Sequence, residues 1–256
     1  MNYLVSILVF AFLVAPGIRL LLLASRSKQT PELFGGLYFI GASVGISLRI
    51  FGVSVSVENP DLAYDVNMIG HVALASGTIA MAIFTQRVFH PESKRALRAS
   101  QGLIAAIAGT TVYALFGEQG IIEDATPVML ANIARVIPTA WASYESYNYW
   151  RAMQKRAALG LSDPVVTNRF GLWTIWTAGI TLLPLTALVI RSGVIILVAL
   201  GQFGPEDVDV VLPRVLGTVR VLFLVIVPTS VAALWLSFFP PKAYLDRVQR
   251  RSVAAS

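Results

Sequence analysis

Within long apolar stretches of this sequence lie a few residues able to do polar chemistry: Arg19, Arg49, His71, Arg135, Glu145, Arg191 and Arg220, with Tyr113 and Asn132 as neutral hydrogen-bonding groups. Guanidinium groups suit planar anions, because their N–H donors match a carboxylate or phosphate held by two parallel hydrogen bonds. A histidine adds a titratable donor or acceptor. Other chemistries are excluded by count. There are no cysteines, so thiolate ligands, disulfides and cysteine nucleophiles are absent. The two histidines, His71 and His90, are nineteen residues apart on one expected helix, about 28 Å at 1.5 Å per residue, so they cannot share a metal or a haem. Neither a pair of intramembrane aspartates nor a motif joining serine to histidine is present. The sequence therefore gives no catalytic residues, no metal site and no cofactor, and it leans away from an enzyme.

The elements that carry these residues follow from composition. Of the 256 residues, 56% are hydrophobic and only 13% charged, against about 25% charged in a soluble domain. The mean hydropathy is +0.70. Lipid is the solvent that such a chain matches, and roughly 20 apolar residues of helix are needed to cross a bilayer. Seven segments satisfy this: 2–24, 33–57, 66–88, 99–117, 127–150, 170–200 and 215–239. Pro16, Pro138, Pro184 and Pro228 lie inside the first, fifth, sixth and seventh, where each removes a backbone hydrogen bond. The first segment reads as a retained helix, since no Lys or Arg precedes it and Arg26 and Lys28 follow it.

The connecting segments set an orientation. Segments 25–32, 87–98, 151–169 and 242–256 fall on one side and hold Arg26, Lys28, Arg87, Lys94, Arg95, Arg98, Arg151, Lys155, Arg156, Arg169, Lys242, Arg247, Arg250 and Arg251. The opposite loops carry Arg214 and the acids Glu58, Asp61, Asp65, Glu118, Glu123, Asp124, Glu206, Asp207 and Asp209. The positive-inside rule then places the N-terminus outside and the basic tail in the cytoplasm. The expected architecture is an all-α bundle of seven transmembrane helices over residues 1–241, with a short basic cytoplasmic tail at 242–256. Aromatic clusters at Tyr144, Tyr147, Tyr149 and Trp150, and at Trp235, Phe238 and Phe239, suit an interfacial belt. The basic residues sit in short loops rather than on one face, which argues against nucleic acid despite a pI near 9.8.

Depth groups the polar residues. Arg49 and Arg135 lie about 12 Å, and His71 and Arg220 about 8 Å, below the outer ends of their helices, with Asn132 at similar height. An arginine at a helix centre costs about 2.5–3.5 kcal/mol on insertion scales, so it needs a partner, water or a route to the headgroups. Three readings are open. The side chains snorkel to lipid phosphates or pair with loop acids such as Glu118, Glu123 and Asp124; they form an anion site facing inward; or the loop acids close over them when no ligand is bound. Nearer the cytoplasm, Glu145 is the single acid inside an expected helix core, and it is expected to pair with Arg19, or with a loop arginine such as Arg151, as a structural ion pair. Gly41-x-x-x-Gly45 with Gly70, Ala73 and Gly77 is expected to pack the second and third helices closely within the bundle.

Seven helices with an outside N-terminus resemble the architecture of rhodopsins and seven-helix receptors, in topology and without a shared motif. A retinal protein needs a lysine in its last helix; none of the seven segments contains one, and the last offers Arg220 instead. The reading carried forward is a receptor-like membrane protein of a bacterial inner membrane, binding a small anionic or amphiphilic molecule. Arg49, Arg135 and Arg220 would supply charge, His71, Asn132 and Tyr113 would orient the ligand, and the basic loops would meet a protein partner. A small transporter or channel, and an assembly subunit of a membrane complex, are the alternatives.

Overall fold

The computed structural model describes residues 2–56, 58–116, 125–202 and 225–253. Among them every regular element is a helix. These are α1 (Asn2–Ser27), α2 (Thr30–Val55), α3 (Pro60–Phe89), α4 (Lys94–Phe116), α5 (Ala125–Ala157), α6 (Pro164–Ala199), α7 (Val225–Phe238) and α8 (Lys242–Val253). The helices overrun the apolar stretches because their start signals lie outside them. Asn59 caps α3 by accepting from the Leu62 N–H at 3.0 Å, with Pro60 in the first turn. Asp163 caps α6 in the same way, accepting from Val165 N–H at 2.7 Å ahead of Pro164. Both place an acceptor against backbone donors that the first turn leaves unsatisfied.

Five helices, α1, α2, α3, α4 and α6, are long and apolar enough to cross a membrane, and α7 with α8 makes a sixth if that bent pair is one span. The expected fifth segment is helical but falls outside this group. Over its 33 residues α5 carries Asn132, Arg135, Glu145, Arg151, Lys155 and Arg156, which lower its apolarity. The expected seventh segment is described only from Val225, so Arg220 and Arg214 lie outside the described residues, as do Glu118, Glu123 and Asp124. Residues expected to be a plain tail instead form α8, turned 86° from α7 after Pro240 and Pro241. Helices α1, α5 and α6 run through Pro16, Pro138 and Pro184.

The chain divides into two compact units, residues 1–142 and 143–256. In the first, α1, α2 and α3 pack as consecutive antiparallel neighbours. Ser43 on α2 donates to the Phe10 carbonyl on α1 at 3.2 Å. The α2–α3 seam is built from residues too small to separate two backbones. A methyl group added at Gly41 would lie 2.6 Å from the Gly77 Cα and 2.7 Å from the Ala73 carbonyl oxygen. One at Gly45 would lie 2.7 Å from the Leu74 nitrogen and 2.8 Å from the Gly70 oxygen. Gly52 meets Asn67. The partners fall on α3 as the glycines rise on α2, which is the antiparallel, close-packed arrangement that the small residues imply. Ala75, Ile107 and Ala134 form a buried core joining α3, α4 and α5, with Ile79 against it.

In the second unit the end of α5, the start of α6 and the end of α7 come together. Tyr149 and Phe170 have ring centroids 4.4 Å apart, and Trp173 and Phe238 5.6 Å apart. Trp150 lies against Gly171, and Gly179 against Ser230. Asn168 donates to the Tyr244 hydroxyl at 2.7 Å, fastening α8 to α6.

Candidate functional site

The polar centre of the first unit grows from the α3–α4–α5 core. Ile107, Thr111 and Ala114 occupy one face of α4, at spacings of four and three residues, and all are buried. Ala131, Ala134 and Arg135 are likewise buried on α5. The face that carries aliphatic packing on each helix therefore also carries one polar group into the same interior.

Arg135 is only 6% exposed and His71 only 7%. The Arg135 Nη1 lies 2.7 Å from His71 Nδ1, and its Nη2 donates to the Thr111 hydroxyl oxygen at 3.2 Å. A guanidinium can only donate, so the hydrogen bond to His71 requires an unprotonated Nδ1 and leaves the imidazole proton on Nε2. The Arg135 Nε–H is buried and has no hydrogen-bond partner. Among the described residues no carboxylate pairs with this guanidinium: its partners are an imidazole and a hydroxyl, both neutral. A buried ion held this way keeps much of its desolvation cost.

Arg49 adds a second cation. It is half-buried on α2, and its stem lies over Gly70, where an added methyl group would meet the Arg49 Cγ at 3.0 Å. Gly70 is thus the position on α3 that lets the Arg49 side chain cross beside His71. The charge of Arg49 acts on both His71 and Arg135. Four helices so deliver Arg49, His71, Thr111 and Arg135 to one donor-rich layer, near where α2 ends and α3 begins.

The remaining expected residues divide. Asn132 is half-buried and one turn before Arg135 on α5. Tyr113 is 52% exposed, because two residues along a helix turn it about 200° from the buried face that Thr111 occupies. The member of α4 that reaches the layer is Thr111, which the sequence reading did not include. Its signal was available: it sits in phase with Ile107 and Ala114. Arg220 lies outside the described residues. Arg19 is exposed on α1 in the first unit, and Glu145 is half-buried on α5 in the second. His90 ends α3, its N–H donating to the Gln86 carbonyl at 3.0 Å while its ring stacks on Trp141. No group of three metal-ligating side chains occurs among the described residues.

No protein family, curated protein or solved structure matches this chain. The functional reading rests on the site itself.

Proposed function

We propose that this protein is a seven-span, receptor-like membrane protein whose outer half binds a small anionic or amphiphilic molecule at Arg135 and Arg49; Arg220, expected from the sequence to add charge, lies outside the described residues. The observation that carries the reading is the Arg135 guanidinium: buried, held by neutral partners among the described residues, with a buried Nε–H left over. Among the described residues Arg135 has no carboxylate partner, and a carboxylate or phosphate group would bring it negative charge and an acceptor for the buried Nε–H. Arg49 adds long-range attraction in a low-dielectric setting. His71 and Thr111 fix the plane of the guanidinium, so it is preorganised for a planar anion. Asn132, half-buried one turn before Arg135 on α5, completes the proposed set.

Titration of the detergent-solubilised protein with organic phosphates and alkyl carboxylates tests the reading. Binding to the native state stabilises by about 2.7 kcal/mol when ligand reaches about 100 times its Kd, so the apparent midpoint of thermal unfolding is expected to rise with concentration for at least one class. Midpoints that stay flat across both classes, with matched salt, would contradict the proposal.

The same reading places the N-terminus outside and the basic segments in the cytoplasm of a bacterial inner membrane. Because the chain has no cysteine, single substitutions can be labelled without background. An impermeant maleimide added to whole cells is expected to label Glu58→Cys and to spare Ser27→Cys and Glu92→Cys until the cells are opened. The reverse pattern would invert the topology and place the arginine layer on the cytoplasmic side.

A further inference from the structure

The second unit ends in α8, an element that the anion site does not use. Its sequence, KAYLDRVQRRSV, places Lys242, Arg247, Arg250 and Arg251 in twelve residues against the single acid Asp246. Helical phase separates the two chemistries. Tyr244, Leu245 and Val248 share one side and are half-buried, whereas Lys242, Asp246, Arg247 and Gln249 are exposed. The apolar side is engaged with α6, where Asn168 donates to the Tyr244 hydroxyl at 2.7 Å. Two prolines, Pro240 and Pro241, end the apolar helix α7, and the axis turns by 86°. If α7 runs along the membrane normal, α8 therefore runs in the membrane plane. Aromatic pairs gather at the end of α7 that α8 follows and at the start of α6 to which α8 is fastened: Trp173 against Phe238, Trp235 against Phe239, and Tyr149 against Phe170. Rings of this kind prefer the headgroup level. Arg169, exposed and adjacent to Asn168, and exposed Arg151, Lys155 and Arg156 at the end of α5 extend the positive charge around the same end of this unit.

We infer that α8 is an interfacial helix whose exposed basic side binds the headgroups of acidic phospholipids in the leaflet at which α7 ends. An amphipathic helix with a cationic polar face, lying in the interface plane, gains from anionic lipid by simple charge complementarity. Soluble anions do not provide the same match. The strip is extended rather than convergent, and the right-angle turn after α7 holds it along a surface. This inference is independent of the anion site in the first unit.

The test uses the full chain reconstituted in phosphatidylcholine vesicles containing a minority of phosphatidylglycerol, with a fluorophore on Ala243→Cys. Quenching is compared between spin-labelled phosphatidylglycerol and spin-labelled phosphatidylcholine at equal mole fraction. The acidic lipid is expected to quench more strongly. Each basic residue near a surface is worth about five-fold in association, so Lys242→Gln with Arg247→Gln is expected to lower the preference by about five-fold or more. Raising the salt on the otherwise unaltered protein is expected to act in the same direction, and this arm does not depend on the double variant folding. Equal quenching by the two lipids at low salt would overturn the inference and assign the basic strip to solvent or an acidic protein. A preference that survives high salt would also overturn it, because the attraction would then not be electrostatic.

Discussion

Arg135→Met is expected to abolish the anion-dependent rise in the unfolding midpoint while changing the stability of the unliganded protein little. Methionine preserves the apolar stem and removes the charge. The guanidinium bonds to His71 Nδ1 at 2.7 Å and to the Thr111 hydroxyl at 3.2 Å. Losing those two hydrogen bonds costs about 1–3 kcal/mol for each partner left unsatisfied in the interior. Against that loss stands the removal of a buried ion without a carboxylate among the described residues; exchanging buried ionic groups for apolar ones of similar volume gains about 1–4 kcal/mol. The two contributions are comparable and opposed. The alternative in which a loop acid closes over Arg135 predicts a different number. Removing one partner of a buried ion pair strands the other and costs about 3–5 kcal/mol. Thermal unfolding of the variant, with and without added anion, separates the two. A small change at baseline with the anion response gone supports a binding arginine, and a large loss at baseline identifies a structural one.

The second large effect is expected at Gly41. Its added methyl group meets three backbone atoms of α3, the Gly77 Cα at 2.6 Å and the Ala73 oxygen and Gly77 nitrogen at 2.7 Å. A flexible side chain could rotate away; a backbone cannot without moving the whole helix. Gly41→Leu must therefore push α2 from α3, and overpacking of a core costs about 1–3 kcal/mol even where side chains can adjust. Here about 3 kcal/mol or more is expected, and it extends to function, because Arg49 and His71 sit on the two helices being separated. Gly102→Leu on α4 is the matched control, since nothing lies within 4 Å of the position. Comparing the unfolding midpoints of the two variants checks the account. A Gly41 variant as stable as the Gly102 variant would mean that the α2–α3 seam does not hold the unit together.

Much of the fold was legible because its causes are local. A run of about 20 apolar residues with capping residues at its edge dictates a helix whatever surrounds it, and that is why α1, α2, α3, α4 and α6 lie where composition put them. The α2–α3 seam was legible for the same reason: Gly41, Gly45, Gly70 and Gly77 recur at helical spacing, and small residues at that spacing allow two backbones to approach. One element was hidden. Twelve residues of α8 hold four basic groups, and a composition that reads as a solvated tail becomes a helix through its apolar side against α6 and the Asn168–Tyr244 hydrogen bond, a contact 76 residues distant in sequence. The polarity of α5 was visible, yet its consequence was not: a helix whose polar residues face other helices need not be as apolar as one facing lipid, and Arg135 at 6% exposure shows such a residue turned inward.

The site was legible by residue type and depth, and less so by helical phase. His71 and Arg135 were singled out by residue type and depth, and the structure joins them by a hydrogen bond. Tyr113 and Thr111 lie at nearly the same depth, and depth cannot choose between them. Phase can, because the buried face of α4 is defined by Ile107 and Ala114, and only Thr111 falls on it. Arg49 was placed by depth as well; that it lies beside His71 depends on Gly70, whose missing side chain leaves room for the Arg49 stem.

The most direct measurement is native mass spectrometry of the detergent-purified protein beside an Arg49→Ala, Arg135→Ala double variant. The anion-site account predicts a discrete anionic adduct on the unaltered chain that is missing from the variant, with its mass giving the ligand class. No adduct on either protein, or equal phospholipid adducts on both, would contradict the account and return these arginines to a structural or lipid-facing role.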